Sequence, residues 1–160
     1  GGGGALLTDD KEIARRAKHL TTTAKQPHPW LFLHDEIGYN YRLPNINAAL
    51  GCAQMEQLPT FVNKKRKLAH QYRNWFAERD QEFVSEPSGA ASNYWLNSIV
   101  LANIDERDEF LTFTNSRNVM TRAMWTPMHT LPMYRGCYRT DLSNTEAIEK
   151  RLVNIPSSVV

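Results

Sequence analysis

Gly38-Tyr39-Asn40-Tyr41-Arg42-Leu43-Pro44-Asn45-Ile46-Asn47-Ala48-Ala49-Leu50 is the stretch of this sequence that decides its fold. It joins a polar loop led by a glycine to a helix with apolar periodicity, and Asn45 directly after Pro44 predicts the helix start. An amide and a guanidinium, Asn40 and Arg42, stand just ahead of that start. Such side chains suit an anion such as phosphate; the alternative is a capping asparagine and a surface arginine in an ion pair.

The residues before this stretch predict a glycine turn from Gly1, a short strand at Ala5-Leu6-Leu7 and a helix over about residues 10–20, capped by Asp9 or Asp10. A long loop over residues 21–44 follows, and loops of this length are often functional. The apolar run Trp30-Leu31-Phe32-Leu33 lies inside the loop. We expect this run to pack on a neighbouring domain or subunit.

Beyond Asn45, the spacing of apolar residues predicts a second helix that buries Ile46, Ala49, Leu50 and Ala53. Pro59 is expected to start a new turn or to kink the helix, and a third helix continues to about Glu78. The basic run at residues 64–67 falls in that helix, and we interpret it as a solvated face with Lys65 on the apolar side. Binding of nucleic acid is the alternative, but no aromatic side chains interleave with the run.

The second half of the sequence changes its period from helical to alternating. It predicts strands over residues 82–86, 93–101 and 119–125. Asp105 is predicted to cap a helix, and Asn118 to end it in a left-handed conformation. A loop covers residues 128–139. A last helix is capped by Ser143 or Asn144 and has Ile148, Leu152 and Val153 as its apolar positions. The fold class is therefore α/β, in detail α+β, with helices and a small, largely antiparallel sheet.

Composition excludes several classes of function. The formal net charge is +2 with 41% hydrophobic and 22% charged residues, which is typical of a soluble globular protein and implies neither nucleic acid nor a membrane as partner. Cys52 and Cys137 are 85 positions apart, and we expect reduced thiols in a cytoplasmic protein, with a disulfide as the alternative. The five histidines have no zinc-site spacing, so no metal is predicted.

Several segments together resemble the DegT/DnrJ/EryC1/StrS family of fold-type I, pyridoxal phosphate-dependent sugar aminotransferases. The segments that carry the resemblance are Gly3-Gly4-Ala5-Leu6-Leu7-Thr8, Gly38-Tyr39-Asn40-Tyr41-Arg42, Ala48-Ala49-Leu50-Gly51 with Gln54, the Tyr72 helix, and residues 151–158. Residues 43–47, 92–97 and 131–134 look like the legionaminic acid and bacillosamine subgroup. That subgroup transfers an amino group, usually from glutamate, to a UDP-linked 4-keto-6-deoxy-N-acetylhexosamine.

The resemblance implies a division of the chain and roles for four residues. Residues 1–58 would be a remnant of the large cofactor domain, 59–79 a connecting helix and 80–160 a small C-terminal α/β domain. In the family, the loop asparagine contacts the cofactor phosphate across a dimer interface, which maps onto Asn40, and Arg42 holds the matching arginine position. His129 and Arg122 resemble residues near the sugar-nucleotide entrance, with a purely structural placement as the alternative.

The resemblance also implies that the family lysine that forms the Schiff base with pyridoxal phosphate lies upstream of Gly1. Lys11, Lys18 and Lys25 do not match its position, so no catalytic residue is assigned. We therefore expect a truncated C-terminal fragment that binds no cofactor by itself, is inactive alone and forms a homo-oligomer, in the family a dimer. The alternative is a repurposed, non-catalytic α/β module that self-associates or binds a ligand.

Overall fold

The protein is described here from a computed structural model, which covers residues 2–159 and divides into two compact units. The first unit ends at Gln57 and the second begins at Leu58. The helices and strands run in the order α1 Lys11–Thr21, α2 Asn45–Phe76, β1 Glu82–Phe83, β2 Asn97–Val100, α3 Ile104–Ser116, β3 Arg122–Ala123, α4 Ser143–Glu149 and β4 Leu152–Ile155. Two short 3₁₀ turns, Met128–Thr130 and Pro132–Tyr134, lie in the loop that was predicted over residues 128–139.

Gly1, the first residue of the predicted glycine turn, lies outside the described residues. The predicted strand at Ala5-Leu6-Leu7 is wrong, because residues 2–9 contain no strand. A strand needs a partner for its backbone groups, and the side chains of Leu6 and Leu7 are exposed.

Helix α1 begins where its capping residue predicts. The Asp10 carboxylate accepts hydrogen bonds from the backbone N–H of Glu12 at 2.8 Å and of Ile13 at 3.1 Å. These bonds satisfy two of the first donors of the helix, which have no partner within the helix itself.

Helix α2 is a single helix of 32 residues that begins at Asn45, as predicted, and contains Pro59. The prediction of two helices is therefore wrong. A proline inside a helix removes one backbone hydrogen bond, and the bonds on either side can continue the helix past it. The predicted buried face of its first half is also wrong: Ile46, Ala49, Leu50 and Ala53 are not buried.

The four strands form one antiparallel sheet in the order β1-β2-β4-β3. Strand β4 pairs with β2 through Val153 and Ile99 and with β3 through Val153 and Ala123. The prediction that Leu152 and Val153 belong to the last helix is therefore wrong. Leu152 and Val153 fit the apolar spacing of a helix as well as that of a strand, so the sequence pattern did not separate them from the preceding helix. Pairing with β2 on one side and with β3 on the other makes β4 a strand.

The core of the second unit lies on the face of the sheet that carries Ile99 and Val153, which are fully buried. From α2, Ala69, Tyr72 and Phe76 pack in this core, and the Tyr72 hydroxyl donates a hydrogen bond to the Pro156 carbonyl at 2.9 Å. Burial raises the pKa of Tyr72 above its ordinary value.

The basic run of α2 contributes to the same packing through polar contacts. Lys65 donates from Nζ to the carbonyl oxygens of Trp95 at 3.1 Å and Ser157 at 2.7 Å, which confirms that it lies on the inner side of the helix. Arg66 binds both carboxylate oxygens of Glu86 at 2.8 and 2.9 Å. This pair, and then the Ser92 backbone N–H, lower the pKa of Glu86 to about 2. The run therefore fastens α2 to the rest of the unit.

Helix ends in the second unit differ in detail from the predictions. Helix α3 is capped by Asn103, whose side chain accepts from the Glu106 N–H at 2.9 Å, and not by Asp105, which lies in the first turn. Asn118 after its end has φ +61°, the left-handed conformation that was predicted. Helix α4 begins at Ser143 without a side-chain cap, so the predicted cap at Ser143 or Asn144 is wrong.

Candidate functional site

The long loop between α1 and α2 folds back on itself in the first unit. Its two limbs meet at isolated antiparallel bridges, Thr22 with Asn40 and Lys25 with His34. The apolar run at the tip of the loop is exposed: Trp30 is 75% and Phe32 78% accessible. Backbone pairing therefore holds the base of this loop, while its apolar tip remains uncovered within the described residues.

Gly38 allows the two limbs to approach closely. A Cβ atom at this position would lie 2.4 Å from the backbone N of Ala24 and 2.5 Å from the backbone C of Thr23, closer than real Cβ contacts. On the facing limb, Thr23 and Ala24 have φ values of +72° and +48°, a left-handed conformation that is unfavourable for residues other than glycine. Two successive residues in this region are uncommon, and such backbone is concentrated at functional sites.

The segment after Gly38 presents Asn40 and Arg42. Tyr39 donates from its N–H to the Leu20 carbonyl at 2.7 Å and Tyr41 to that of Thr21 at 2.9 Å, and their rings stack with centroids 5.5 Å apart. Because alternate side chains of an extended segment point to opposite sides, Asn40 and Arg42 are directed away from the stacked tyrosines. Both are exposed, and neither side chain has a hydrogen bond or ion pair with residues 2–159.

A cavity of about 820 Å³ lies beside this segment, lined by the backbone of Gly2–Gly4, by residues of α1 and by Arg42. Asn40 is not among its lining residues. Lys18 of α1 also lines it and is exposed. Backbone N–H groups, a guanidinium and an ammonium make the cavity suitable for an anion. The rest of the lining is mostly apolar, so Arg42 and Lys18 are the two cationic side chains that a phosphate in this cavity could meet.

A cluster of charged side chains ties the loop to α1. Asp35 and Glu36 both face His19, with Nε2 of His19 at 2.7 Å from Asp35 Oδ1 and 3.4 Å from Glu36 Oε1. The hydrogen bond with His19 is the main cause that lowers the pKa of Asp35. His19, Asp35 and Glu36 are close enough to share a cation, but the Arg16 guanidinium already pairs with Glu36, and we assign the cluster to holding the loop.

In the second unit, Arg122 lies in a polar row on the sheet. Strand register places it opposite Asn154, which in turn lies opposite Ser98 and accepts a hydrogen bond from its hydroxyl at 2.8 Å. Within residues 2–159, the Arg122 guanidinium makes one hydrogen bond, from Nη2 to the Met120 sulfur at 3.3 Å. Arg122 lines a cavity of about 640 Å³, to which Lys65 also contributes. Most of its hydrogen-bonding capacity thus faces that cavity.

His129 lies in a different cavity, of about 370 Å³, lined also by Tyr134 and Leu142. Its Nε2 is 2.8 Å from Glu146 Oε1, so the carboxylate orients the ring. In the described part of the chain, Nδ1 has no hydrogen bond and is left for another partner. The structure therefore does not bring Arg122 and His129 into one cavity. Sequence reasoning missed Glu146 as the residue that orients His129, because the two are 17 positions apart and in different elements.

Sequence reasoning also missed the pairing of Trp95 and Trp125. Their rings stack with centroids 6.2 Å apart and 23° between planes, and they are 66% and 60% accessible. Trp95 lines the same cavity as Arg122. The two positions are 30 residues apart, and no spacing in the sequence connects them.

The long helix and the small antiparallel sheet form a fold that this chain shares with a solved aminotransferase structure. The chain belongs to the DegT/DnrJ/EryC1/StrS aminotransferase family, whose model matches residues 1–159. This confirms the resemblance seen in the sequence. Its finer placement in the legionaminic acid and bacillosamine subgroup stays a prediction.

Individual relatives agree with this assignment. The chain is 34% identical over 157 residues to GDP-perosamine synthase of Escherichia coli O157:H7, covering 98% of this chain and 42% of that protein. It is 34% identical over 134 residues to EpsN of Bacillus subtilis, whose name places it among pyridoxal phosphate-dependent aminotransferases; 83% of this chain and 34% of EpsN are covered. The aminotransferase TlmJ from Streptoalloteichus hindustanus has the same fold, with a TM-score of 0.83 and 23% identity over 93% of this chain and 40% of TlmJ.

The predicted fold class, an α/β portion of the fold-type I transferase fold with a small antiparallel sheet, is thereby confirmed. The chain spans about two fifths of the length of the GDP-perosamine synthase and of TlmJ. Among the helices of residues 2–159, none combines the length and apolar character that crossing a bilayer requires.

The predicted place of the family lysine, upstream of Gly1, lies outside the described residues, as does Gly1 itself. The structure therefore places no residue at that position, and the absence of a catalytic lysine from this chain stays a prediction. The described glycines that follow, Gly2–Gly4, line the cavity beside Arg42.

Proposed function

We propose that this chain supplies the cofactor-phosphate and substrate contacts of a pyridoxal phosphate-dependent nucleotide-sugar aminotransferase. The observation that carries the proposal is the braced segment that presents Asn40 and Arg42 with no partner of their own within residues 2–159. Pyridoxal phosphate, when bound, supplies the electron sink and carries the amino group between donor and acceptor. Asn40 would donate its amide N–H to the cofactor phosphate, and Arg42 would neutralise part of its charge.

The substrate side of the proposal rests on Arg122 and His129. Arg122 offers a guanidinium to an anionic group such as a diphosphate, and His129, oriented by Glu146, offers Nδ1 to a hydroxyl or amino group. A nucleotide-linked keto-sugar as acceptor is supported by the names of two relatives, GDP-perosamine synthase and dTDP-4-dehydro-2,3,6-trideoxy-D-glucose 4-aminotransferase. Glutamate as donor and a UDP-linked 4-keto-6-deoxy-N-acetylhexosamine as acceptor follow from the subgroup resemblance alone.

We further propose that residues 1–160 do not transfer an amino group by themselves and that the Schiff-base lysine belongs upstream of Gly1. In this division, residues 1–58 belong with a larger cofactor domain and residues 80–160 form the small domain. Residues 59–79 are the helix that connects the two. The lysines near the candidate site are surface groups: Lys25 lies over the Phe32 ring at 3.9 Å, and Lys11 and Lys18 are exposed on α1. A nucleophilic lysine is normally activated by burial or by a neighbouring charge, which exposure does not provide.

The first experiment mixes the purified chain with pyridoxal phosphate and glutamate. We expect neither the visible absorption of a protein-bound cofactor nor any amino transfer. A coloured, active preparation would contradict the proposal, and the variant Lys18→Ala would then show whether Lys18 holds the cofactor.

The second experiment tests Asn40 and Arg42 in a complete enzyme. This chain replaces the 42% of E. coli GDP-perosamine synthase that it matches, and amino transfer is measured against pyridoxal phosphate concentration. Asn40→Ala and Arg42→Gln should each raise the half-saturating cofactor concentration about tenfold or more, as expected for the loss of a charge-assisted hydrogen bond. Arg15→Gln, an exposed arginine paired with Glu12, is the matched control. An unchanged cofactor requirement in Asn40→Ala would refute the assigned role.

The exposed apolar tip of the loop favours a second candidate function, a non-catalytic module that self-associates. Large contiguous apolar surfaces on soluble proteins mark interaction sites, and Trp30 and Phe32 are 75% and 78% exposed. Light scattering should then give an oligomer for the chain and a smaller mass for Trp30→Ser/Phe32→Ser. A monomer in both would contradict self-association through this loop.

A further inference from the structure

We propose that the stacked indoles of Trp95 and Trp125, together with Arg122, form a binding site for a nucleoside diphosphate. The inference rests on the proposed function for the identity of the ligand, since a nucleotide-linked sugar contains this group. The site itself lies wholly in the second unit. It requires no residue outside residues 58–159.

The indole pair is an aromatic platform. Two rings with centroids 6.2 Å apart are in mutual contact, and a third ring inserted between them would need about 7 Å, twice an ordinary carbon contact. A base can therefore stack only on an outer face of the pair. Both rings are about two-thirds accessible, so an outer face is open within the described residues. Stacking of a base on an aromatic side chain tolerates any base, because each has a π face.

The cavity beside the platform has the charge that a diphosphate requires. Trp95 lines it together with Arg122 and Lys65, and its described lining contains no carboxylate. Its volume of about 640 Å³ is within the range of small-molecule sites. The guanidinium of Arg122 hydrogen-bonds only the Met120 sulfur among residues 2–159, so its other N–H donors are available to phosphate oxygens in a bidentate arrangement.

Uncharged polar side chains lie next to Arg122 on the sheet. Asn154 lies directly opposite Arg122 on the adjacent strand and is itself held by the Ser98 hydroxyl at 2.8 Å. Lys65 is committed to the carbonyls of Trp95 and Ser157, which positions the Trp95 backbone at the cavity wall. Strand β3 therefore holds Arg122, and the Lys65 hydrogen bond holds the backbone of Trp95 at the same cavity. Base stacking and diphosphate binding are assigned to different side chains.

Saturation-transfer NMR on the 160-residue chain tests the site with UDP, GDP and uridine as probes. Pyrophosphate, which has no base protons, is the fourth probe, and its binding is measured by the line width of its phosphorus signal. We expect strong saturation transfer to the base protons of UDP and GDP and at least about tenfold weaker binding of uridine and of pyrophosphate. Trp95→Ala and Trp125→Ala should weaken UDP binding about tenfold, Trp125→Phe should retain most of it, and Arg122→Gln should reduce UDP to the level of uridine. Trp30→Ala, which removes a similarly exposed indole from the first unit, is the control.

Absence of saturation transfer, or equal transfer in the wild type, Trp95→Ala and Arg122→Gln, would overturn the proposal. Circular dichroism of each variant identifies any that is misfolded, and Trp125→Phe and Arg122→Gln keep the test decisive if an alanine variant does not fold. The measurement needs neither pyridoxal phosphate nor amino transfer. An inactive chimera with intact UDP binding would therefore refute the aminotransferase proposal alone, and an active chimera whose chain fails to bind UDP would refute this site alone.

Discussion

Gly38→Ala is expected to separate the two limbs of the long loop in the first unit. The added Cβ would lie 2.4 Å from the Ala24 nitrogen and 2.5 Å from the Thr23 carbonyl carbon, both backbone atoms that cannot rotate away. An ordinary contact is about 3.5 Å, so the limbs must move apart by about 1 Å. That movement stretches the bond from the Thr23 N–H to the Tyr39 carbonyl, now 3.0 Å, beyond hydrogen-bond range.

The magnitude follows from the bonds at risk. The bonds donated by Thr23, Tyr39 and Tyr41 hold Gly38 against the facing limb, and each contributes about 0.5–1.5 kcal/mol net. Losing two or three of them costs about 1–4 kcal/mol, in agreement with the usual cost of overpacking. Exchange of these three amides should accelerate by roughly 10- to 1000-fold.

Hydrogen exchange measured residue by residue by NMR is the assay, because the effect is local. Gly51→Ala is the matched control: its Cβ meets nothing within 4 Å, and an alanine inside an exposed helix should stabilise α2 by up to about 1 kcal/mol. Unchanged exchange at Thr23, Tyr39 and Tyr41 in Gly38→Ala would refute the close-approach argument. It would also remove the reason for a rigid presentation of Asn40.

Three further predictions concern the second unit and are checked by urea unfolding. The pKa of Glu86 is about 2, below its ordinary 4.5, so the ionised Glu86 stabilises the fold above pH 4.5 and this contribution disappears as the pH falls toward 2. Glu86→Gln should therefore flatten the pH dependence of the unfolding free energy between pH 4.5 and pH 2. An unchanged pH profile in this variant would contradict the prediction. Lys65→Met should cost about 1–3 kcal/mol because it leaves the carbonyls of Trp95 and Ser157 without their donor, whereas exposed Lys67→Met should cost little. Asn97 is fully buried, and its side-chain amide has no hydrogen-bond partner within residues 2–159, so Asn97→Leu should stabilise by about 1 kcal/mol; a loss of stability would mean that the amide is solvated.

Local signals in the sequence predicted helix positions better than strand positions. Asp10 marks the start of α1 through hydrogen bonds within three residues, and α2 begins at Asn45 directly after Pro44; both starts were found where predicted. Strand β4 was missed because Leu152 and Val153 acquire their strand identity from pairing with β2 and β3, which are distant in sequence. Pro59 shows the converse: its local tendency to interrupt a helix was outweighed within α2.

The candidate site shows the same division. The residue types of Asn40 and Arg42 were visible as an anion-binding pair ahead of a helix, but their bracing by the Tyr39–Tyr41 stack was not. Residues 34–36 fall inside the long predicted loop, and the sequence contained no sign that Asp35 and Glu36 meet His19 of α1. Side chains that meet across elements are determined by packing, which spacing along the chain does not encode directly.

By itself, the sequence determined the family and the residue types of the loop that suit an anion. Both are carried by short segments such as Gly38–Arg42, whose residue types and order can be identified without knowing which residues pack around them. The tertiary structure alone decided that Gly38 lies against Thr23 and Ala24, that Glu146 orients His129, and that Trp95 stacks on Trp125 beside Arg122. The physical reason is that a local pattern reports on backbone conformation and burial over a few residues. Contacts between residues 17 or 30 positions apart exist only after the sheet and α2 have brought their elements together.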